Sequence, residues 1–205
     1  LSYNGKHLLE DSVSSYLENK YSNFEVVIID NGSTDRTKAY IEKFFPKCSV
    51  IRLDNNRGYS GGFNFGLKNI IDERNPEYVL VTNDDVQVDN NLIDELVKVA
   101  ETDPKIGFVT GKVYYYDYKG HKNILQTVGK KPNRFPILCD HIGSREKDIG
   151  QYNEVSERYL CDDVFMLVRK EVIEQTTGYD TNFFLQYEEA DWQLRAKSLG
   201  YKIYY

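Results

Sequence analysis

Phe24–Phe45 reads FEVVIIDNGSTDRTKAYIEKFF. Phe24–Ile29 is a nearly unbroken run of apolar, largely β-branched residues, the pattern of a strand covered on both faces. Asp30-Asn31-Gly32-Ser33 ends it with turn formers. From about Thr34 the period changes: Tyr40, Ile41, Phe44 and Phe45 recur at helical spacing until Pro46 stops the helix. The alternation continues downstream. Val50–Leu53 reads as a strand, followed by the loop Asp54–Gly62 and a helix through Phe65, Leu67, Ile70 and Ile71. Tyr78–Thr82 is a further strand and Leu92–Ala100 a further helix. Strands separated by single helices predict an α/β fold with a doubly wound, mostly parallel central sheet and helices on both faces.

Upstream of that stretch, Leu9, Val13, Tyr16 and Leu17 form a helical stripe after Asn4-Gly5. Leu1–Gly5 resembles the tail of a first strand, so both ends read as trimmed. Downstream the pattern loosens. A strand begins at Ile106, and residues 117–157 mix Gly, Pro, Lys and Asp, which predicts a long excursion or flap. Val164–Val168 reads as a strand, Glu188–Leu199 as a helix stopped by Gly200, and Tyr201–Tyr205 as a last strand. With 205 residues, the expectation is a single domain over 1–205.

Hydrophobic residues make up 40% and charged residues 28%, a balance that supports a folded core. Net charge is −6 and no basic stripe of the nucleic-acid-binding kind stands out. A negative protein binds phosphorylated ligands when a metal ion or a helix N-terminus supplies positive charge. The three cysteines, Cys48, Cys139 and Cys161, are widely spaced and fit neither a disulfide framework nor zinc, as in a reducing compartment. No apolar run approaches the roughly 18 residues of a bilayer span. His7, His121 and His141 read as ordinary surface or core histidines.

In open α/β sheets, ligands bind beyond the carboxyl ends of the strands. Here those ends carry Asp30, then Asp54-Asn55, then Asn83-Asp84-Asp85. Each alone is an ordinary turn; together on one edge they point to a shared ligand site. Asp30 is suited to accept hydrogen bonds from a base N–H or a ribose hydroxyl. The run Gly58-Tyr59-Ser60-Gly61-Gly62 lets backbone approach a ligand and opens a helix, where phosphates are favoured. It fits neither G-x-G-x-x-G nor G-x-x-x-x-G-K-[ST]. Asp84 and Asp85 are hard oxygen donors suited to Mg²⁺ or Mn²⁺. Near the other end, Glu188, Glu189 and Asp191 open a helix. Such acids complement the helix dipole by about 0.3–1 kcal/mol each. Beside aromatic rings, a partly desolvated carboxylate is also suited to general-base work.

The ordered set YNG, VIIDNGSTD, NNRGYSGGFNFG, VTNDDV, DPKIGFVTGKVYYYD and FFLQYEEADWQLRAKSLGYKI resembles the family 2 glycosyltransferases, most closely the rhamnosyltransferase-like and galactofuranosyltransferase-like branch. The resemblance spans nearly the whole chain. It implies a GT-A fold, a nucleotide-diphosphate sugar donor (UDP- or dTDP-sugar), a divalent metal (Mn²⁺ or Mg²⁺) and inversion at the anomeric carbon. Glu189 matches the catalytic base, with Glu188 and Asp191 its neighbours. Asp85 matches the metal ligand, and Asn83 replaces the first acid of a D-x-D. Asn4, Asp30, Asn31, Asp54, Gly61, Gly62, Asn83 and Asp84 fall on the nucleotide side; Asp162, Asp163 and Trp192 fall on the acceptor or donor-sugar side. Arg195 reads as the partner of an ion pair within its helix. Relatives carry small residues where Asp162-Asp163 stand, and many place a metal-binding His just beyond a strand like Tyr201–Tyr205, where this chain stops.

The resemblance divides the domain into a nucleotide-binding half, 1–105, and an acceptor-binding half, 106–205. It implies sugar transfer to a hydroxyl of a glycan or lipid-linked acceptor, in bacterial cell-surface polysaccharide synthesis. The implied location is the cytoplasm, with peripheral association at the inner face of the membrane. The competing readings are a non-catalytic nucleotide-sugar-binding module, a sugar nucleotidyltransferase and a nicotinamide-dependent oxidoreductase. The first is disfavoured by the retained acids, the second by too short a match at Asn4-Gly5-Lys6-His7, and the third by the missing dinucleotide glycines.

Overall fold

A computed structural model describes residues 1–134, 139–183 and 186–205. Residues 135–138 of the excursion, and Phe184 and Leu185 of the acidic-helix motif, lie outside the described residues. The first half alternates as the apolar pattern requires: α1 (Leu9–Leu17), β1 (Val27–Asp30), α2 (Thr37–Phe44), β2 (Ser49–Arg52), α3 (Gly58–Arg74), β3 (Tyr78–Thr82) and α4 (Leu92–Ala100). The second half holds β4 (Ile106–Val109), β5 (Val113–Tyr114), β6 (Leu125–Thr127), β7 (Lys130–Pro132), β8 (Cys139–His141), β9 (Glu157–Arg158), β10 (Phe165–Arg169), α5 (Lys170–Thr176), α6 (Glu188–Ser198) and β11 (Lys202–Tyr204).

β1 and β2 pair in parallel, and Ser2 bridges Asp30 in the same sense, exchanging backbone hydrogen bonds with Ile29 and Asn31. The start of the chain thus lies along β1. The main sheet has five strands in the order β3-β10-β4-β11-β9. β11 runs parallel to β4, whereas β10 runs antiparallel to both β3 and β4. The sheet is therefore mixed: β3, β4 and β11 run one way, β10 inside it and β9 at its edge the other. The reversal of β10 positions the site. Phe165 pairs with Thr82 and Arg169 with Tyr78, so the start of β10 lies beside the end of β3. Asp162-Asp163, just before β10, are thereby brought to the same edge as Asn83-Asp84-Asp85.

The main core fills the space between this sheet, α3, α5 and α6. It includes Phe108, Met166 and Trp192, each fully buried. Trp192 stacks edge-on against Phe108, with ring centroids 5.5 Å apart, and donates its indole N–H to Thr176 at 2.6 Å. A smaller cluster of Leu9, Val13, Ile28 and Ile41 seats α1 and α2 on β1. The excursion is structured where it is described: β5 pairs with β6 and β7 with β8, both antiparallel. Its sequence hides this because each strand is only two or three residues long, too short to register a period.

Candidate active site

Two cavities open along the strand-end edge. The smaller, of about 340 Å³, is lined by Leu1, Tyr3, Asn31, Asn56, Gly58, Tyr59 and Asn83-Asp84-Asp85. The larger, of about 650 Å³, lies under α6 and the β7–β8 hairpin. Tyr59 and Asn83 line both, and the Tyr59 hydroxyl donates to Asn83 Oδ1 at 3.1 Å. The two spaces therefore meet at one hydrogen-bonded pair.

The smaller cavity is built on asparagines. The Asn31 amide donates to Asn56 Oδ1 and to the Gly58 carbonyl, both at 2.9 Å, and its oxygen accepts from the Arg57 N–H at 3.0 Å. Asn56 Oδ1 also accepts from the Gly58 N–H at 2.8 Å. This network folds the loop after β2 so that the N-terminus of α3 faces the cavity, with no acid in its first turn to offset its partial positive charge. Gly62 is required by packing: a Cβ there would sit 2.8 Å from Leu1 Cδ1 and 3.0 Å from Asn31 Nδ2. Gly61 meets only Arg57.

The adjacent acids of β3 separate. The Asp84 carboxylate lies over Gly5, where there is no room for a side chain. Asp85 is exposed, and among the described residues no hydrogen bond or ion pair occupies its carboxylate. Such a hard oxygen donor, beside a helix N-terminus, fits a divalent cation that also touches phosphate.

Asp30 stands apart from both cavities. It is fully buried, pairs with Arg52 across β1 and β2, and accepts the Ser33 N–H at 2.8 Å. Arg52 continues to the Ser33 carbonyl at 2.8 Å. The side chain expected to touch a base thus holds the turn after β1 in shape. Asn4 is nearby, accepting from the Thr34 N–H at 2.8 Å, and Asp54 is exposed. Neither lines either of these two cavities.

The larger cavity concentrates charge. Asp163, Glu188 and Glu189 bring carboxylate oxygens within 4.8 Å of one another. Lys130, on β7, answers them: its ammonium lies 2.7 Å from Glu189 Oε1 and 2.6 Å from Asp162 Oδ1. His141 Nδ1 lies 3.0 Å from the second Asp162 oxygen. Burial alone would lower the Lys130 ammonium, but Asp162 and Glu189 outweigh it and raise it above its ordinary value. Burial also opposes the Asp162 charge, yet the His141 hydrogen bond and Lys130 hold that carboxyl below its ordinary value. Asp163 has no cation beside it, only a hydrogen bond from Tyr59 that is too weak to offset its surroundings. Burial first, and Glu189 second, push it up to about 7, and its Oδ2 is buried without a hydrogen bond. Burial likewise raises Glu188, whose Oε2 is also unpartnered. Lys130 supplies a cation at Glu189, and Asp163 and Glu188 are the members of the cluster it does not touch.

Gln186 and Tyr187 enter α6 with φ of 79° and 68°, a left-handed backbone that costs a residue with a Cβ about 1–2 kcal/mol. The helix then aims Glu188 and Glu189 into the cavity. Asp191 points away: it pairs with Arg195 at 2.7 Å, and Arg195 ties on to the Thr176 and Gly178 carbonyls, each at 2.7 Å. The expected intrahelical role of Arg195 is what the structure has. Trp192 corrects an expectation. It is 0% exposed, in the core, and cannot touch a sugar; one turn after Glu188, it falls on the stripe that packs against Phe108 and Tyr179. His141, read as an ordinary histidine, borders the cavity. The sequence reading also missed Lys130, Tyr3, Tyr59 and Arg52 as participants. Only Tyr59 carried a signal, inside the glycine-rich run.

Residues 1–177 match the family described as "Glycosyl transferase family 2". The chain belongs to glycosyl transferase family 2. It is 27% identical over 205 residues to a poly-beta-1,6-N-acetyl-D-glucosamine synthase of Staphylococcus aureus, covering 99% of this chain and 46% of that protein. The enzyme of the same name from Staphylococcus epidermidis is 25% identical over 194 residues, covering 94% and 43%. The chain thus spans about half the length of the curated relatives it matches. Among solved structures, a mannosyltransferase of Pyrobaculum calidifontis in complex with GDP-Man and Mn²⁺ superposes with TM-score 0.67 at 18% identity, covering 98% of this chain and 51% of that one. S. aureus TarS in complex with UDP superposes with TM-score 0.67 at 16% identity, covering 98% and 55%. These likenesses establish the GT-A fold that the motifs implied.

Proposed function

We propose that this chain is the catalytic domain of an inverting glycosyltransferase. It moves a sugar from a UDP- or dTDP-sugar to a hydroxyl of a glycan or lipid-linked saccharide, in bacterial cell-surface polysaccharide synthesis. The observation that carries this reading is the junction of the two cavities at Tyr59 and Asn83. One side presents a helix N-terminus and a free carboxylate, suited to a diphosphate with its cation. The other presents a carboxylate held by a lysine, suited to a hydroxyl. The bond to be broken would span the junction.

Nucleotide and diphosphate fill the smaller cavity, bordered by Tyr3, Asn31, Gly58 and Asp84, with Gly61 and Gly62 allowing close approach of α3. Asp30, Asn4 and Asp54 act there at one remove, through the shape of the loops. Asp85 would hold a divalent cation, Mn²⁺ or Mg²⁺, whose charge would balance the diphosphate and stabilise the leaving nucleotide. Asn83, neutral where a D-x-D has an acid, makes that site weaker. In the larger cavity Glu189 takes the proton from the acceptor hydroxyl as its oxygen forms the new bond to the anomeric carbon. The bond from that carbon to the phosphate oxygen breaks, and the nucleoside diphosphate leaves with the electron pair. Asp162 and Asp163 border the sugar. The smaller cavity is lined by residues from 1 to 85 and the larger mainly by residues from 130 to 190, which supports a nucleotide half over 1–105 and an acceptor half over 106–205.

The curated relatives are named for N-acetylglucosamine polymer synthesis, so the rhamnosyl or galactofuranosyl branch is not carried into the proposal and the donor is given by its nucleotide class. Among the described residues, no helix is long and apolar enough to cross a membrane. Action at the cytoplasmic membrane face, on a lipid-linked acceptor, is part of the proposal. The test is a panel of UDP-, dTDP- and GDP-sugars with Mn²⁺, offered to the full-length protein with saccharide acceptors. Acceptor-dependent release of UDP or dTDP supports the reading. Nucleotide binding without turnover across the panel would make it a binding module.

A further inference from the structure

The strongest unexplained feature is Lys130. It comes from the β7–β8 hairpin, which also carries His141 and not the clustered acids of the site, and only 9% of it is exposed. Its backbone is tied to Leu160, giving the Lys130 N–H to the Leu160 carbonyl at 2.7 Å. The next residue, Cys161, exchanges two hydrogen bonds with the Gln193 side chain of α6, at 2.8 and 2.9 Å. The hairpin, the segment before β10 and α6 are thus fastened together beneath the cavity, and the ammonium bridges the last two: Asp162 Oδ1 on one, Glu189 Oε1 on the other. Among the described residues, nothing hydrogen-bonds Glu189 Oε2.

We infer that Lys130 is a positioning residue for sugar transfer: it anchors Glu189 through Oε1, leaves Oε2 as the atom that takes the acceptor proton, and supplies the cation that balances the acids around it. This rests on the role of Glu189 proposed above. The groups facing Glu189 explain why a cation is needed. From its own helix comes Glu188; from the segment before β10 come Asp162, Asp163 and the Cys161 thiol; from β8 comes the Cys139 thiol and from the α5–α6 connection Tyr179. All are acids or neutral; His141, from β8, is the other cavity residue able to carry positive charge, and it is taken up by Asp162. Crowded carboxylates favour protonation of one of them, and a protonated Glu189 accepts nothing. Asp162 is then the fixed anion that holds Lys130 in place, assisted by His141.

The test uses the full-length protein with Lys130→Met and Lys130→Arg. It reads kcat and KM separately from pH 5 to 9, together with nucleotide affinity by calorimetry. For Lys130→Met, kcat should fall by at least about tenfold, and the acidic limb of its pH profile should move up by about 1–3 pH units, the range an opposite charge commands. Nucleotide affinity should stay at the wild-type value. Lys130→Arg, which keeps the charge, should return the limb to its wild-type position. A wild-type limb in Lys130→Met overturns the inference, as does a limb that moves equally in both variants. If Lys130→Met does not fold, Lys130→Gln carries the test, since it keeps a donor without the charge and must show the same displaced limb. Glu189→Gln, run alongside, separates the two claims. Full turnover in that variant removes Glu189 as the base, whereas lost turnover with an unmoved Lys130→Met limb removes only the role of Lys130.

Discussion

Two pairs of adjacent acids face this site, and the fold treats them in opposite ways. Of Asp84-Asp85, just after β3, Asp84 is half-buried over Gly5, while Asp85 stands in solvent and has no partner among the described residues. Glu188-Glu189, at the start of α6, sit against Asp162-Asp163, and Lys130 is brought in from a distant hairpin to bridge them. A carboxylate left in solvent is charged at little cost and is ready for a cation that arrives with a ligand. One withdrawn from solvent needs its cation built in. The two treatments suit two tasks, holding a metal-bound diphosphate and taking a proton.

The largest expected effect is at the withdrawn pair. Glu189→Gln should lower turnover by about 10²–10⁴-fold, the usual worth of a general base, with nucleotide affinity unchanged in calorimetry. At the solvent acid the effect should be the reverse in kind. Asp85→Ala should bind nucleotide in Mn²⁺ no better than the wild type binds it in EDTA, and equal affinity of the two proteins in Mn²⁺ would erase the contrast.

Asp163 sharpens it further through pH. Its folded carboxyl is pushed up to about 7, by burial and then by Glu189, above the ordinary value near 3.8. Between those values the folded state holds a proton that the unfolded state has released, so stability falls as pH rises through that window. Thermal melts should therefore show Asp163→Asn gaining on the wild type between pH 5 and pH 8. Equal differences at both pH values would mean that Asp163 is ionised throughout. The smallest effect belongs to Asp191, whose partly exposed pair with Arg195 should be worth under about 1 kcal/mol in a melt of Asp191→Ala, with turnover little changed.

The sequence was most legible where periodicity was long. FEVVII, YVLVT and the stripe in LIDELVKVA each specify one element, and their alternation specifies the α/β class. The reversed direction of β10 was not legible, because a strand's composition carries no direction. That reversal is also what gathers the site, since it sets Asp162-Asp163 beside Asn83-Asp84-Asp85. Motif order marked Glu189 and Asp85, but local sequence misjudged Trp192, which shares a helix with the acids yet falls on its buried stripe. Lys130 was invisible for a different reason. Its role depends on a hairpin 59 residues from Glu189 in sequence, and a lone lysine in a polar stretch has no pattern to betray it.

The central claim is a single displacement, with one base on the acceptor side and the nucleotide leaving on the other. The configuration of the new glycosidic bond tests it most directly. Full-length protein, given an α-linked nucleotide sugar and an acceptor saccharide, should yield a β-linked product when the anomeric proton is read by NMR early in the reaction. An α-linked product would mean retention, which a single displacement cannot give, and would contradict the role assigned to Glu189.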